Sequence, residues 1–336
     1  MNQRENNITL AHGSGGRAMH RLIAEVFRSR LSNPILLQGD DAAELTLEAG
    51  RLAFTTDSYV VRPLFFPGGD IGRLAVCGTV NDLAMKGARP LYLVASFIIG
   101  EGLMMDILER VVDSMAQAAA EAGVSIVSGD TKVVEHSACD GLFVTTAGIG
   151  RIEAGWTVSG SNVRPGDVII VSGTVGDHGM AVMNARGDFG LGGEMASDAA
   201  PLWDLVAPML NCGGVRALRD PTRGGLATTL NELAEQSKVR IVVEEECVPV
   251  RDWVRAGAEM LGLDPLYLAN EGKLVAVVEA ERADDILKVM RANQKGREAA
   301  VIGRAEAGEP GVILRTSIGS HRPLLMLEGE HLPRIC

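Results

Sequence analysis

A two-domain α/β fold is predicted by three features of the sequence. The chain has 336 residues, beyond the size at which a single hydrophobic core stops growing. Hydrophobic residues make up 46% and aromatics only 4%, so aliphatic and alanine side chains must fill the interior, as in layered α/β proteins. Apolar runs of strand length alternate with helical periods, and in the first half these strands repeatedly end at an aspartate. The turn Arg164-Pro165-Gly166-Asp167, followed at once by the apolar run Val168 to Val171, opens a second domain. The expected organisation is an N-terminal domain over residues 1–152, a C-terminal α/β domain over 165–325 and a mobile tail over 326–336.

The elements follow in order. His12-Gly13-Ser14-Gly15-Gly16 is a glycine turn ahead of an amphipathic helix from Arg17 to Arg30. Ile35 to Gln38 reads as a short strand leading into Gly39-Asp40-Asp41-Ala42-Ala43, and Leu52 to Thr56 as a strand ending at Asp57. A helix from Gly72 to Lys86 carries a polar pair, Asn81 and Asp82, inside an otherwise apolar stretch, so both need partners. A strand over Leu91 to Ile99 and a helix over Met104 to Ala122 follow. Val124 to Val127 is then a strand ending in Ser128-Gly129-Asp130-Thr131-Lys132, with another over Gly141 to Gly150.

In the second half, helices are expected over Gly176 to Arg186, Trp203 to Leu210, Gly225 to Gln236 and Arg282 to Asn293. Asp220 and Thr222 can cap the third of these and leave its first amides to an anion, with Arg223 beside them as a fork-shaped phosphate binder. Asn270-Glu271-Gly272-Lys273 leads into a strand over Leu274 to Val278. Carboxylates at strand ends suit a hard cation such as magnesium, although each alone also reads as a surface turn.

The formal net charge of −11 lacks the basic surface that nucleic acid requires. The polar segment Met1 to Asn7 is no signal peptide, and the longest apolar run is too short to span a bilayer, so a cytoplasmic protein is expected. Five cysteines without C-x-x-C spacing favour neither a disulfide framework nor structural zinc. Four sit in apolar or glycine-rich settings that suit inert thiols. The fifth, Cys336, is the last residue, beyond a proline that cannot continue a helix, and reads as a thiol that can be handed from one site to another.

Taken together, Gly39-Asp40-Asp41-Ala42, Thr56-Asp57, Asn81-Asp82-x-Ala84-Met85-x-Gly87-Ala88, Ser128-Gly129-Asp130-Thr131, Asp220-Pro221-Thr222-Arg223-Gly224-Gly225 and Asn270-Glu271-Gly272 resemble the aminoimidazole-ribonucleotide-synthetase, or PurM-like, superfamily over essentially the whole chain. The ending Pro333-Arg334-Ile335-Cys336 resembles the HypE family of hydrogenase-maturation carbamoyl dehydratases.

The resemblance implies a homodimer built on N-terminal-domain strands, with ATP between the domains or at the subunit interface. It implies magnesium and phosphate binding by Asp40, Asp41, Asp57, Asp82, Asp130 and Asp220, supported by Asn81, Thr131 and Arg223. Glu271 is the first candidate for general base; Lys132 is the second candidate, for orienting or activating the amide or instead for pairing with a phosphate. It further implies that HypF loads a carbamoyl group on Cys336, that ATP drives its dehydration to a thiocyanate, and that a HypC–HypD complex accepts the cyano group. The alternatives are a small-molecule kinase or synthetase of the thiamine-monophosphate kinase or selenophosphate synthetase type, or a non-catalytic thiol carrier. The selenium reading is weakened because the glycine turn at His12 contains no cysteine.

Overall fold

The computed structural model describes residues 7–14, 16–38, 42–47, 50–187 and 195–326. The N-terminal domain begins with α1 (Arg17–Leu22), which continues as a π-helical stretch (Ile23–Arg28). The segment expected as a strand before Gly39 is instead a 3₁₀ turn, Leu36–Gln38. Asn33 explains the difference. Its Oδ1 accepts from the amides of Ile35 and Leu36, drawing the chain into a turn before a ladder can form.

Then come β1 (Arg51–Tyr59), the short hairpin β2 (Phe65–Phe66) and β3 (Gly69–Asp70), α2 (Ile71–Met85), β4 (Ala88–Gly100), α3 (Met105–Ala122), β5 (Ser125–Val134) and β6 (Leu142–Ile152). The main sheet has the order β1-β6-β4-β5, with only the β4–β5 pair parallel. Asp70 caps α2, its Oδ1 accepting from the amides of Gly72 and Arg73.

The C-terminal domain contains β7 (Val168–Val171), α4 (Asp177–Arg186), α5 (Trp203–Asn211), β8 (Val215–Arg219), α6 (Gly225–Ser237), β9 (Arg240–Glu244), α7 (Asp252–Leu261), β10 (Val275–Val278), α8 (Ala283–Ala292), β11 (Ala300–Glu306), β12 (Gly311–Arg315) and β13 (His321–Pro323). Its seven-stranded sheet runs β13-β12-β9-β11-β7-β10-β8 and is antiparallel apart from the β9–β12 pair.

Helix α2 joins the two halves. One side packs on the N-terminal sheet, while Ala84 and Met85 enter a cluster with Ile170, Leu205, Met209, Leu218 and Leu274 of the second domain. Burial on several sides explains why this helix is apolar nearly all round. It also places Asn81 and Asp82 at the seam between domains.

The other face of the N-terminal sheet carries Leu52, Phe54, Val94 and Ile98. Phe54 is 76% exposed, an open apolar face on this sheet.

Cys77 and Cys139 are buried, and burial pushes the Cys77 thiol up to about 12, consistent with an inert side chain. Cys247 is exposed, contrary to its apolar sequence setting, because it ends a 3₁₀ turn after β9.

At the C-terminal end Leu324 is buried, its amide donating to Val312 O and its carbonyl accepting from Asn231 Nδ2. The next carbonyl, of Leu325, accepts from the Tyr267 hydroxyl at 2.8 Å. Cys336 and the rest of the tail lie outside the described residues, as do Asp40 and Asp41.

Candidate active site

Two strand segments expected to end at an aspartate run past it. Asp57 lies within β1 and Asp130 within β5, since pairing with β6 and β4 extends each ladder further. Strand alternation then assigns their faces. Across the register Asp57 faces Thr146 and Ala95, on the side covered by α2, whereas Asp130 pairs with Ser96 and Lys132 with Ile98, on the open side. Asp130 and Lys132 are exposed there. Within one chain the structure does not bring them to the other acidic residues.

Asp57, Asp82, Asp220, Arg223 and Glu271 do meet. They line one cavity of about 40 Å³ between the domains, together with Ser58, Tyr59, Gly78 and Thr222. Asp82 reaches it from α2 and is oriented by Thr55, whose hydroxyl donates to Asp82 Oδ2 at 2.8 Å. Asp220 and Arg223 come from the turn before α6. Contrary to expectation, no side chain caps that helix. Its N-cap is Gly224 at φ +78°, a left-handed conformation that favours glycine, and the amide of Gly225 donates to the Thr222 carbonyl. Asp220 and Arg223 therefore remain available to a ligand.

Glu271 is buried on a loop held from several directions. The side chain of the preceding Asn270 donates to the carbonyls of Pro221 and Leu268 and accepts from the Gly176 amide, fastening the loop to the Asp220 turn. Gly272 is required by close approach: a Cβ there would lie 1.8 Å from the carbonyl oxygen of Asp198.

Asn81 was expected to support phosphate binding. Its side chain is instead committed to the seam. Nδ2 donates to the carbonyls of Ala200 at 3.0 Å and Glu271 at 3.2 Å, and Oδ1 accepts from the Leu202 amide at 2.8 Å. A buried helical residue satisfied this fully has no donor to spare for a nucleotide.

The electrostatics of the cavity follow from crowding carboxylates at low solvent access. Burial, then the charges of Asp220, Asp198, Asp57 and Asp82, push Glu271 well above the ordinary glutamate range. Burial followed by Asp82 raises Asp220 to about 7, with Arg219 opposing. Asp82 is raised by burial and by Asp57.

Such crowding is a stability cost in the ligand-free protein. A carboxyl whose folded pKa is raised loses stability as pH climbs from its unfolded value through its folded value. Asp220→Asn is therefore expected to stabilise the ligand-free protein by up to roughly 4 kcal/mol above about pH 7, raising Tm, with the gain shrinking as pH falls towards the ordinary aspartate range. Thermal melts across pH check this. A lower Tm at pH 8 would contradict it.

A second cavity, of about 180 Å³, lies beside β5. Its lining includes apolar Ile23, Phe27, Leu36 and Phe97 together with Ser128, Asp130 and the buried Thr131. Ala42 and Ala43, which immediately follow Asp40 and Asp41, also line it.

Tyr59 and Thr55 escaped the sequence reading. Both share the covered face of β1 with Asp57 by simple alternation, so strand period was the available signal. Asp198 escaped because no motif surrounds it.

The fold and these positions can be set beside known proteins. Residues 39–152 match the N-terminal domain, and residues 164–315 the C-terminal domain, of AIR synthase related proteins. The chain is 53% identical to the carbamoyl dehydratase HypE of Azotobacter vinelandii, over 99% of this chain and 98% of the relative. Among solved structures, hydrogenase maturation protein HypE in complex with ATP superposes with a TM-score of 0.95 at 53% identity, covering 98% of this chain and 99% of that one. A HypE–HypF complex matches with a TM-score of 0.81 at 47% identity, over 91% and 99%. Full-length similarity at this level, on the same pair of domains, means that the chain belongs to the HypE carbamoyl dehydratase family, with its PurM-like fold.

Proposed function

We propose that this protein uses ATP to dehydrate a carbamoyl group carried on the sulfur of its own Cys336, yielding a thiocyanate that supplies cyanide ligands to the iron of [NiFe] hydrogenases. The observation that carries this reading is the convergence of Glu271 with Asp57, Asp82, Asp220 and Arg223 in one cavity between the domains.

An amide oxygen is a poor leaving group, and phosphorylation makes it a good one. The carbamoyl oxygen attacks the terminal phosphorus of ATP. Its bond to phosphorus forms as the bond to ADP breaks, and one N–H proton is released. Glu271 then takes the second N–H proton while the C–O bond breaks, the oxygen leaves within inorganic phosphate, and the C≡N bond closes. Arg223, exposed at the N-terminus of α6, is placed to bind phosphate oxygens.

The carboxylates of Asp57, Asp82 and Asp220 are hard oxygen donors whose mutual repulsion a divalent cation relieves, which fits Mg²⁺ held jointly with ATP phosphates. Bound there, magnesium neutralises charge on the phosphates.

The substrate arm starts from a fixed point in the C-terminal domain. The chain is pinned at Leu324 and Leu325, and Tyr267, which pins Leu325, lies shortly before the Glu271 loop. Residues 327–336 span at most about 33–36 Å when extended. HypF is the carbamoyl donor in this reading, as suggested by the HypE–HypF complex of the relative, and HypC–HypD the cyano acceptor.

A homodimer completes the arrangement. The open face of the N-terminal sheet is apolar at Leu52, Phe54, Val94 and Ile98 and carries Asp130 and Lys132, so pairing of two such faces would bring these charged residues to the subunit seam. Phe54→Glu is expected to weaken dimerisation by about 10²–10⁴-fold, since each of two copies loses the burial of a large side chain. Light scattering across a dilution series checks this, and an unchanged dimer would place the interface elsewhere.

The direct test is mass spectrometry of the C-terminal peptide after incubation with HypF, carbamoyl phosphate and ATP, followed by further Mg-ATP. A carbamoyl adduct on Cys336 that then loses one water supports the reading. An unmodified Cys336 alongside continuing ATP consumption would replace it with that of a small-molecule kinase.

A further inference from the structure

The Glu271 peptide is gripped on both sides by side chains that are not among the carboxylates of the cavity. Its N–H donates to Asp198 Oδ1 at 3.1 Å, and its carbonyl accepts from Asn81 Nδ2 at 3.2 Å. Asp198 is itself fixed: its side chain is buried, and Oδ2 pairs with Lys273 Nζ at 3.0 Å, two residues beyond Glu271.

The segment carrying Asp198 is anchored to the N-terminal domain independently of the cavity. The amide of Ser197 donates to Pro67 O, Arg73 Nε donates to Ala199 O, and Asn81 holds both Ala200 and Leu202. Gly272 packs directly on the Asp198 backbone. From these contacts we infer that Asp198 is a positioning residue for dehydration, which with Asn81 clamps the Glu271 peptide and thereby aims the Glu271 carboxylate at the substrate amide. Although burial opposes its ionisation, Lys273 and His178 outweigh that cost and hold Asp198 below the ordinary aspartate range, so the acceptor stays charged.

The clamp has a specific consequence because catalysis depends steeply on placement. A shift of about 1 Å in a catalytic group costs on the order of 10²-fold in rate. This inference rests on Glu271 acting as the base, and the experiment separates the two. In the HypF-carbamoylated full-length chain, single-turnover dehydration and ATP binding are measured for wild type, Asp198→Ala, Glu271→Gln and the combination of the two.

The expected result is a loss of about 10²-fold in the dehydration rate for Asp198→Ala, with ATP affinity unchanged and no further loss when Glu271 is already glutamine. Pairing Asp198→Asn with Lys273→Gln should restore most of the rate, because an amide oxygen still accepts from the Glu271 N–H while its NH₂ meets a neutral acceptor. An equal loss in the Glu271→Gln background, a loss expressed in ATP affinity, or failure of the paired variant to recover would overturn the clamp. If Asp198→Ala does not fold, the paired variant decides alone: the clamp requires a rate near wild type, and a deficit that persists in the Glu271→Gln background sinks it. A Glu271→Gln chain at the wild-type rate sinks the base reading. A slow Glu271→Gln chain beside an unaffected Asp198→Ala chain sinks only the clamp.

Discussion

Glu271→Gln is expected to slow dehydration of the carbamoylated protein by about 10²–10⁴-fold, the range for loss of a positioned general base, while ATP remains bound. Glutamine preserves the shape of the side chain and leaves untouched the two backbone hydrogen bonds that hold the loop, so the change isolates the proton acceptor. Burial among like charges makes Glu271 an unusually strong base for a carboxylate. Since a raised pKa must be exceeded before the side chain can accept a proton, the wild-type rate should rise with pH on its acid side, and the glutamine variant should lose that limb. Single-turnover rates across pH provide the measurement. A rate equal to wild type would pass the role to Lys132, which the fold places on the other face of the sheet.

Cys336→Ala is expected to abolish thiocyanate formation completely while leaving the fold and ATP binding intact. Alanine cannot carry a carbamoyl group, and two of the other cysteines are poor substitutes. Cys77 is buried with its thiol pushed up to about 12, and Cys139 is buried and likewise raised by burial. Cys212 is half-buried and Cys247 exposed, so the peptide map must include both. The readout is the adduct mass at each cysteine after loading by HypF. A carbamoyl group that reaches another cysteine of the variant and is dehydrated there would remove the tail from the mechanism.

Much of this organisation was legible in the chain. Helices α2, α3, α4 and α6 fall close to where apolar periodicity and glycine stops put them, because burial of one stripe or core face dominates their local preference. Asn81 and Asp82 stood out as polar residues in an apolar helix: Asn81 bonds across the domain seam, and Asp82 is held by Thr55 at the cavity. The misreadings have physical causes. Leu36–Gln38 turns because Asn33 captures two amides, and strand lengths were underestimated because ladder pairing, which local sequence does not encode, carries β1 and β5 past their aspartates. The partners of Asn81 were hidden for a similar reason, since its acceptors, Ala200 and Glu271, lie far along the chain.

What the sequence by itself determined is the set of chemical groups and their order: acidic residues in glycine turns, an arginine before a helix, a glutamate on a tight loop and a terminal thiol, enough to indicate a PurM-like family with a carrier cysteine. The tertiary structure decided which of those groups meet. Sheet register sends Asp57 to the covered face and Asp130 and Lys132 to the open one, a distinction that turns on a single residue of pairing. Docking of the second domain against α2 then encloses Asp82, Asp220 and Glu271 together, and that enclosure, by removing water from adjacent carboxylates, raises their proton affinity.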